Sequence, residues 1–242
     1  MTTRQHVPQS KPPCTYCGQP EASTMDHVIP RSVFIPPLPQ NMVRVPACEA
    51  CQTEKSWGDV DLAHYVNTHW AGSQHPDSLK QLERMARATQ LGRSKLGKAF
   101  TEGGRQRELL TDAGLYLGDI WEVPIPNDNQ DMFRTLKHIV RGLHVVRLRG
   151  MRFDRTKQRL PPDCPVVVGE IDRLKAPAVA TQLDALPHET STVMGKNVAW
   201  WMRVPSTDPE TGMWLLVFND QVCFLGATGG LARLRIDQQS AA

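Results

Sequence analysis

Apolar positions along the chain fall into three regimes. Up to about residue 56 they are scattered among Pro, Cys and turn-forming residues, a composition that suits a small metal-held module better than one closed around its own core. A helix is expected from about Cys48, and the stretch Trp57 to Trp70 continues or follows it. Ala71 to Asp77 reads as a break. Leu79, Leu82, Met85, Ala86 and Leu96 recur at near-helical spacing with basic residues between them. They predict a helix to about Lys98, weakened in its second half by Gly92 and Gly97. Gly103-Gly104 and Pro124 to Asn129 read as loops. The most regular stripe, Met132, Leu136, Ile139, Leu143 and Val146, is widened by Phe133 and Val140 and predicts a helix from Asp131 to about Arg149.

Beyond Pro161 the period shortens. Val166 to Val168, Val198 to Val204, Met213 to Phe218 and Val222 to Leu225 are short β-branched or aromatic runs bounded by turns, as strands require. Asn219-Asp220 between the last two predicts a tight hairpin. The expected fold class is α+β, with an N-terminal module over residues 10–70, a basic helical region over 79–160 and a small antiparallel β-rich region over 161–236.

Composition narrows the class. The chain has 242 residues, 40% of them apolar and 22% charged, which fits a folded protein with a real core. No apolar run approaches the roughly 18 residues that span a bilayer, so no membrane partner is expected. The N-terminus lacks the apolar stretch of a secretory leader, and a cytoplasmic location is the expectation. Net charge is only +3, but its distribution is uneven. Residues 80–110 hold eight Lys/Arg against three Asp/Glu, and 133–160 hold nine against Asp154 alone. Two basic segments can make a polyanion-binding face or can be ordinary solvated helix faces.

Six cysteines without a leader point to metal or free thiols rather than to a disulfide framework. Cys14-x-x-Cys17 and Cys48-x-x-Cys51 are two pairs of the kind that grip one tetrahedral Zn²⁺ from two turns. Gly18, directly after Cys17, supplies the positive φ such a turn needs. A four-thiolate site leaves zinc no open position, so the ion would be structural. A redox CxxC is the other reading. Cys164 and Cys223 stand alone near strands and read as small buried hydrophobes.

Between the two pairs lies Asp26-His27-Val28-Ile29-Pro30-Arg31-Ser32, followed by Asn41, with Gln52-Thr53-Glu54-Lys55 directly after Cys51. Asp26 offers a hard oxygen to a divalent ion, and His27 an imidazole base. The order of these elements from Cys14 to Ser56 resembles the HNH endonuclease family, in which two zinc knuckles commonly enclose an Asp-His-x-x-Pro-x-Ser core. The resemblance implies a zinc-bound ββα-metal module. It implies that His27 is the general base, that Asp26 ligates a catalytic Mg²⁺ or Mn²⁺, and that Asn41 braces the loop carrying the base. Lys55 falls where many members carry a Lys. The family's last His or Asn, the second protein ligand of the catalytic ion, is here Gln52. Its carbonyl oxygen can bind Mg²⁺, but the extra methylene moves that oxygen and adds a torsion to order.

The implied activity is metal-dependent hydrolysis of phosphodiester bonds in DNA, with RNA as the other substrate class. Arg31, Lys55, Arg141, Arg147, Arg149 and Arg152 are the expected nucleic-acid contacts. His64, His69, His138 and His144 lack the spacing that puts two ligands on one helix face. Trp200 and Trp201 alternate across a strand, one expected to face the core. Two other functions remain: a zinc-stabilised nucleic-acid-binding module that has lost catalysis, and a protein whose C-terminal sheet docks other subunits.

Overall fold

The computed structural model describes residues 11–20, 22–69, 75–92, 95–111, 113–122, 129–150, 160–171, 189–203 and 208–233. The chain begins with strands β1 (Thr24–His27) and β2 (Arg44–Ala47), joined through a 3-10 turn at Arg31–Val33. The strands pair antiparallel, Asp26 opposite Val45 and His27 opposite Arg44. Helix α1 (Glu49–Thr68) follows directly, so hairpin and helix stand in the order β, β, α. The stretch expected as one or two helices after Cys48 is a single helix of 20 residues.

Helices α2 (Ser78–Gln90) and α3 (Lys95–Gly103) follow. The helix expected from Leu79 to Lys98 is thus two, and Gly92 just past the end of α2 takes φ +66, the left-handed residue that closes helices. The middle of the chain is also not wholly helical. Strands β3 (Arg105–Leu110) and β4 (Tyr116–Glu122) form an antiparallel ribbon of their own. Strand β3 opens on four polar residues and has no β-branched one, and cross-strand pairs join it to β4. Glu122 bonds Arg105 at 2.8 Å and Arg107 at 3.1 Å.

Helix α4 (Gln130–Gly150) matches its sequence pattern. Met132, Leu136, Ile139, Val140 and Leu143 are buried, with Phe133 and Val146 packed at the margin. The C-terminal sheet has five strands: β5 (Val166–Ile171), β6 (Glu189–Met194), β7 (Val198–Arg203), β8 (Gly212–Phe218) and β9 (Val222–Thr228). All neighbours are antiparallel in the order β5-β9-β8-β7-β6. Asn219 and Asp220 both have positive φ, 47 and 59, as the predicted two-residue hairpin demands. Trp200 faces the core; the Trp201 side chain lies outside the described residues.

One apolar cluster runs through hairpin, α1, α4 and sheet. Val28, Ile29, Val33, Phe34 and Val45 join Leu62 and Val66 of α1, Leu136 and Ile139 of α4, and Trp214, Leu216 and Phe218 of β8. The N-terminal segment is therefore packed into a shared core. A Cβ at Gly58 would lie 2.1 Å from Asp131 O, and one at Gly142 would lie 2.9 Å from the Val28 methyls, so α4 approaches α1 at backbone distance and packs closely on the Val28 side chain just past β1. No helix among the described residues is long and apolar enough to cross a membrane.

Candidate metal centre and adjoining polar site

Cys14 and Cys17 lie on a turn in which Gly18 N–H donates to Cys14 O at 3.0 Å and Gly18 takes φ +74. Thr15 N–H donates to Pro46 O at 2.9 Å, which docks that turn on β2, next to Cys48 and Cys51 at the start of α1. The four sulfurs lie within 4.8 Å of one another, and Cys17 Sγ is 3.7 Å from Cys48 Sγ. Zn–S bonds of about 2.3 Å set tetrahedral S···S edges of about 3.8 Å, so the spacing fits such an ion.

The thiols behave as a converging set. Burial opposes ionisation of Cys14, but backbone N–H groups of Cys17, Cys48 and Tyr16 outweigh it and bring the thiol down to about 7. Burial and the neighbouring thiols push Cys51 well up, and burial raises Cys17. A divalent cation at the centre offsets that mutual repulsion. The tetrad could hold a metal such as Zn²⁺. Cys164 and Cys223 are buried apart from it, as expected.

Beside this cluster, β1 carries Asp26 inward and His27 to a half-buried position. Asp26 Oδ2 accepts a 2.7 Å hydrogen bond from Tyr16 Oη and pairs with Lys55 Nζ at 3.2 Å. Burial and the Asp26 charge hold the Tyr16 phenol well above its usual range, so it is a donor. The Tyr16 ring stacks on His138 of α4, centroids 4.4 Å apart. Lys55 is 1% exposed. Its ammonium also donates to His27 O at 3.0 Å and to Asp59 Oδ2 at 3.2 Å, so all three donors have acceptors. Burial raises the Asp59 carboxyl to about 6 despite Lys55. Thr135 of α4 donates to Lys55 O at 3.2 Å. The hairpin, α1 and α4 thus meet in one buried polar network.

The His27 imidazole is held below its ordinary value, first by burial and then by the Arg44 and Arg31 charges, with Asp26 opposing. That direction favours the unprotonated ring. Gln52 is half-buried on the first turn of α1, one turn before Lys55, and so on the same helix face. Asn41 is exposed on the turn before β2.

The expected nucleic-acid contacts divide. Arg31 is exposed in the 3-10 turn near His27. Lys55 is excluded as a phosphate contact, because the ammonium is buried and its donors are used. Arg141 is excluded as well. It is 6% exposed and donates to Pro161 O at 2.8 Å, Pro162 O at 3.0 Å and Cys164 O at 2.7 Å, tying the approach to β5 onto α4. Arg147 is half-buried. The Arg149 side chain and all of Arg152 lie outside the described residues. His138 is half-buried and His144 fully buried, and desolvation is the chief cause that holds both down to about 4.

Two residues were not anticipated. Arg44 is exposed and faces His27 across the hairpin; its signal was the pairing register, which needs both strands located first. Tyr16 gave no signal beyond its place between two cysteines. No protein-family model, no curated protein and no solved structure matches the chain.

Proposed function

We propose that the chain is a metal-dependent endonuclease of HNH type that hydrolyses DNA, with a structural Zn²⁺ on Cys14, Cys17, Cys48 and Cys51. The observation that carries this is the placement of His27: a half-buried imidazole ending β1, next to Asp26 and opposite Arg44, with burial and the Arg44 and Arg31 charges disfavouring its protonation. A general base must be unprotonated at working pH, and cations around it can hold phosphates.

In this mechanism His27 removes a proton from water as its oxygen attacks phosphorus, and the P–O3′ bond breaks. Asp26 and Gln52 would hold a Mg²⁺ or Mn²⁺, which supplies charge neutralisation at the scissile phosphate and the leaving oxygen. Arg31 and Arg44 bind flanking phosphates. Lys55 holds the Asp26 carboxylate and the His27 carbonyl and so keeps β1 in place. Gln52 reaches further than Asn by one methylene and has one more torsion to order, which favours Mn²⁺ over the stricter octahedral shell of Mg²⁺.

The test is nicking of supercoiled plasmid with Mg²⁺, Mn²⁺ or chelator. Cleavage should need the divalent ion, run faster with Mn²⁺, and gain with Mg²⁺ in Gln52→Asn. Cleavage in chelator, or none in any ion, refutes the proposal. A second reading, a zinc-stabilised nucleic-acid-binding module without catalysis, is favoured by Asp26 Oδ2 being taken by both Tyr16 and Lys55. DNA binding without cleavage would select it.

A further inference from the structure

We propose that Tyr16 is a positioning residue that ties the four-cysteine turn to the Asp26 carboxylate, an inference that rests on the endonuclease reading above. Tyr16 sits between Cys14 and Cys17, so a metal on those thiols fixes the backbone on both sides of it. Its ring lies nearly flat on His138, 22° between planes, which sets the direction of the hydroxyl. That hydroxyl reaches Asp26 Oδ2 at 2.7 Å, and Lys55 Nζ meets the same oxygen at 3.2 Å. Lysine is a point charge with little directional demand, whereas a phenol O–H prefers its own ring plane, and the stack on His138 orients that plane. Together they hold Oδ2, so that the other carboxylate oxygen is the one a divalent ion would take. The structural turn therefore sets the orientation of the catalytic ligand, and two sites of different chemistry share one rigid link.

The discriminating variant is Tyr16→Phe, which keeps ring, stack and volume and removes one oxygen. In the full zinc-loaded chain, Mn²⁺ binding without DNA is read by electron paramagnetic resonance titration, and plasmid nicking gives kcat and KM. Loss of a residue that orients a metal ligand costs about 10- to 100-fold in affinity or rate. Tyr16→Phe should lose that much in Mn²⁺ affinity and in kcat, with KM for DNA and zinc content unchanged. A variant that binds Mn²⁺ and nicks as wild type does overturns the positioning role and leaves the endonuclease standing. Loss of zinc from the variant also overturns it, since the hydroxyl would then serve the turn itself. A wild-type chain that neither binds Mn²⁺ nor nicks overturns both.

Discussion

Lys55 shows how burial reassigns a charged side chain. From sequence position it stands among basic residues expected on a nucleic acid, yet its ammonium is enclosed by Asp26, Asp59 and the His27 carbonyl. Removing one partner of a buried ion pair leaves the other charge uncompensated, at a cost of about 3–5 kcal/mol. Lys55→Met should therefore lose about that much stability in urea unfolding. Arg31→Ala should stay within about 0.5 kcal/mol of wild type, while reducing the salt slope of DNA binding by about one unit. A stable Lys55→Met variant with that same loss of slope would return Lys55 to the phosphate contacts. At this scale the sequence made the four-cysteine cluster legible, because it rests on residue type and spacing. It could not separate Lys55 and Arg141 from Arg31, because whether a cation is solvated depends on what packs over it.

Elements with a strong period were legible in advance. The stripe from Met132 to Val146 places α4, and Asn219-Asp220 places the β8–β9 hairpin. The β3–β4 ribbon was hidden because Arg105-Gln106-Arg107-Glu108 carries no apolar alternation, and β6 because its residues Glu189–Met194 are mostly polar. Helix α4 also carries a pH-dependent joint. His144 Nε2 lies 2.6 Å from Pro209 O and Nδ1 lies 3.1 Å from Thr228 Oγ1. Burial, and then the Arg141 charge, hold its pKa down to about 4, with the Pro209 carbonyl and Asp208 opposing. An unfolded His protonates near 6.5, so between about 6.5 and about 4 the unfolded state binds the proton first and stability falls as pH falls. His144 alone should remove about 2 kcal/mol between pH 7 and pH 5. His138 adds in the same direction, and Asp59, raised to about 6, opposes. The midpoint in urea at both pH values checks this: His144→Gln should show the shallower slope, and an equal slope would contradict the assignment.

The whole molecule is organised so that the candidate metal centre sits at the edge of one continuous core. Sequence composition suggested a module dependent on metal for its fold, but Val28, Ile29 and Val45 are fully buried against α1, α4 and the sheet. The partners on α4 and the sheet lie more than 85 residues away along the chain, and such contacts leave no mark on local pattern. Zinc should copurify at about one ion per chain, and Cys48→Ser should lose it. In hydrogen exchange that variant should lose protection at the Cys14–Gly18 turn while Val28 and Val45 stay protected by the core. Global loss of protection would mean that metal, not packing, holds the hairpin. The central claim is that His27 at the end of β1 is the base of a DNA-cleaving site. It is tested most directly by single-turnover cleavage in Mn²⁺ of wild type and His27→Ala, with DNA affinity and zinc content measured on the same samples. The account predicts cleavage lower by about 10²- to 10⁴-fold, as for loss of a general base, with affinity and zinc unchanged; cleavage by His27→Ala at the wild-type rate would contradict it.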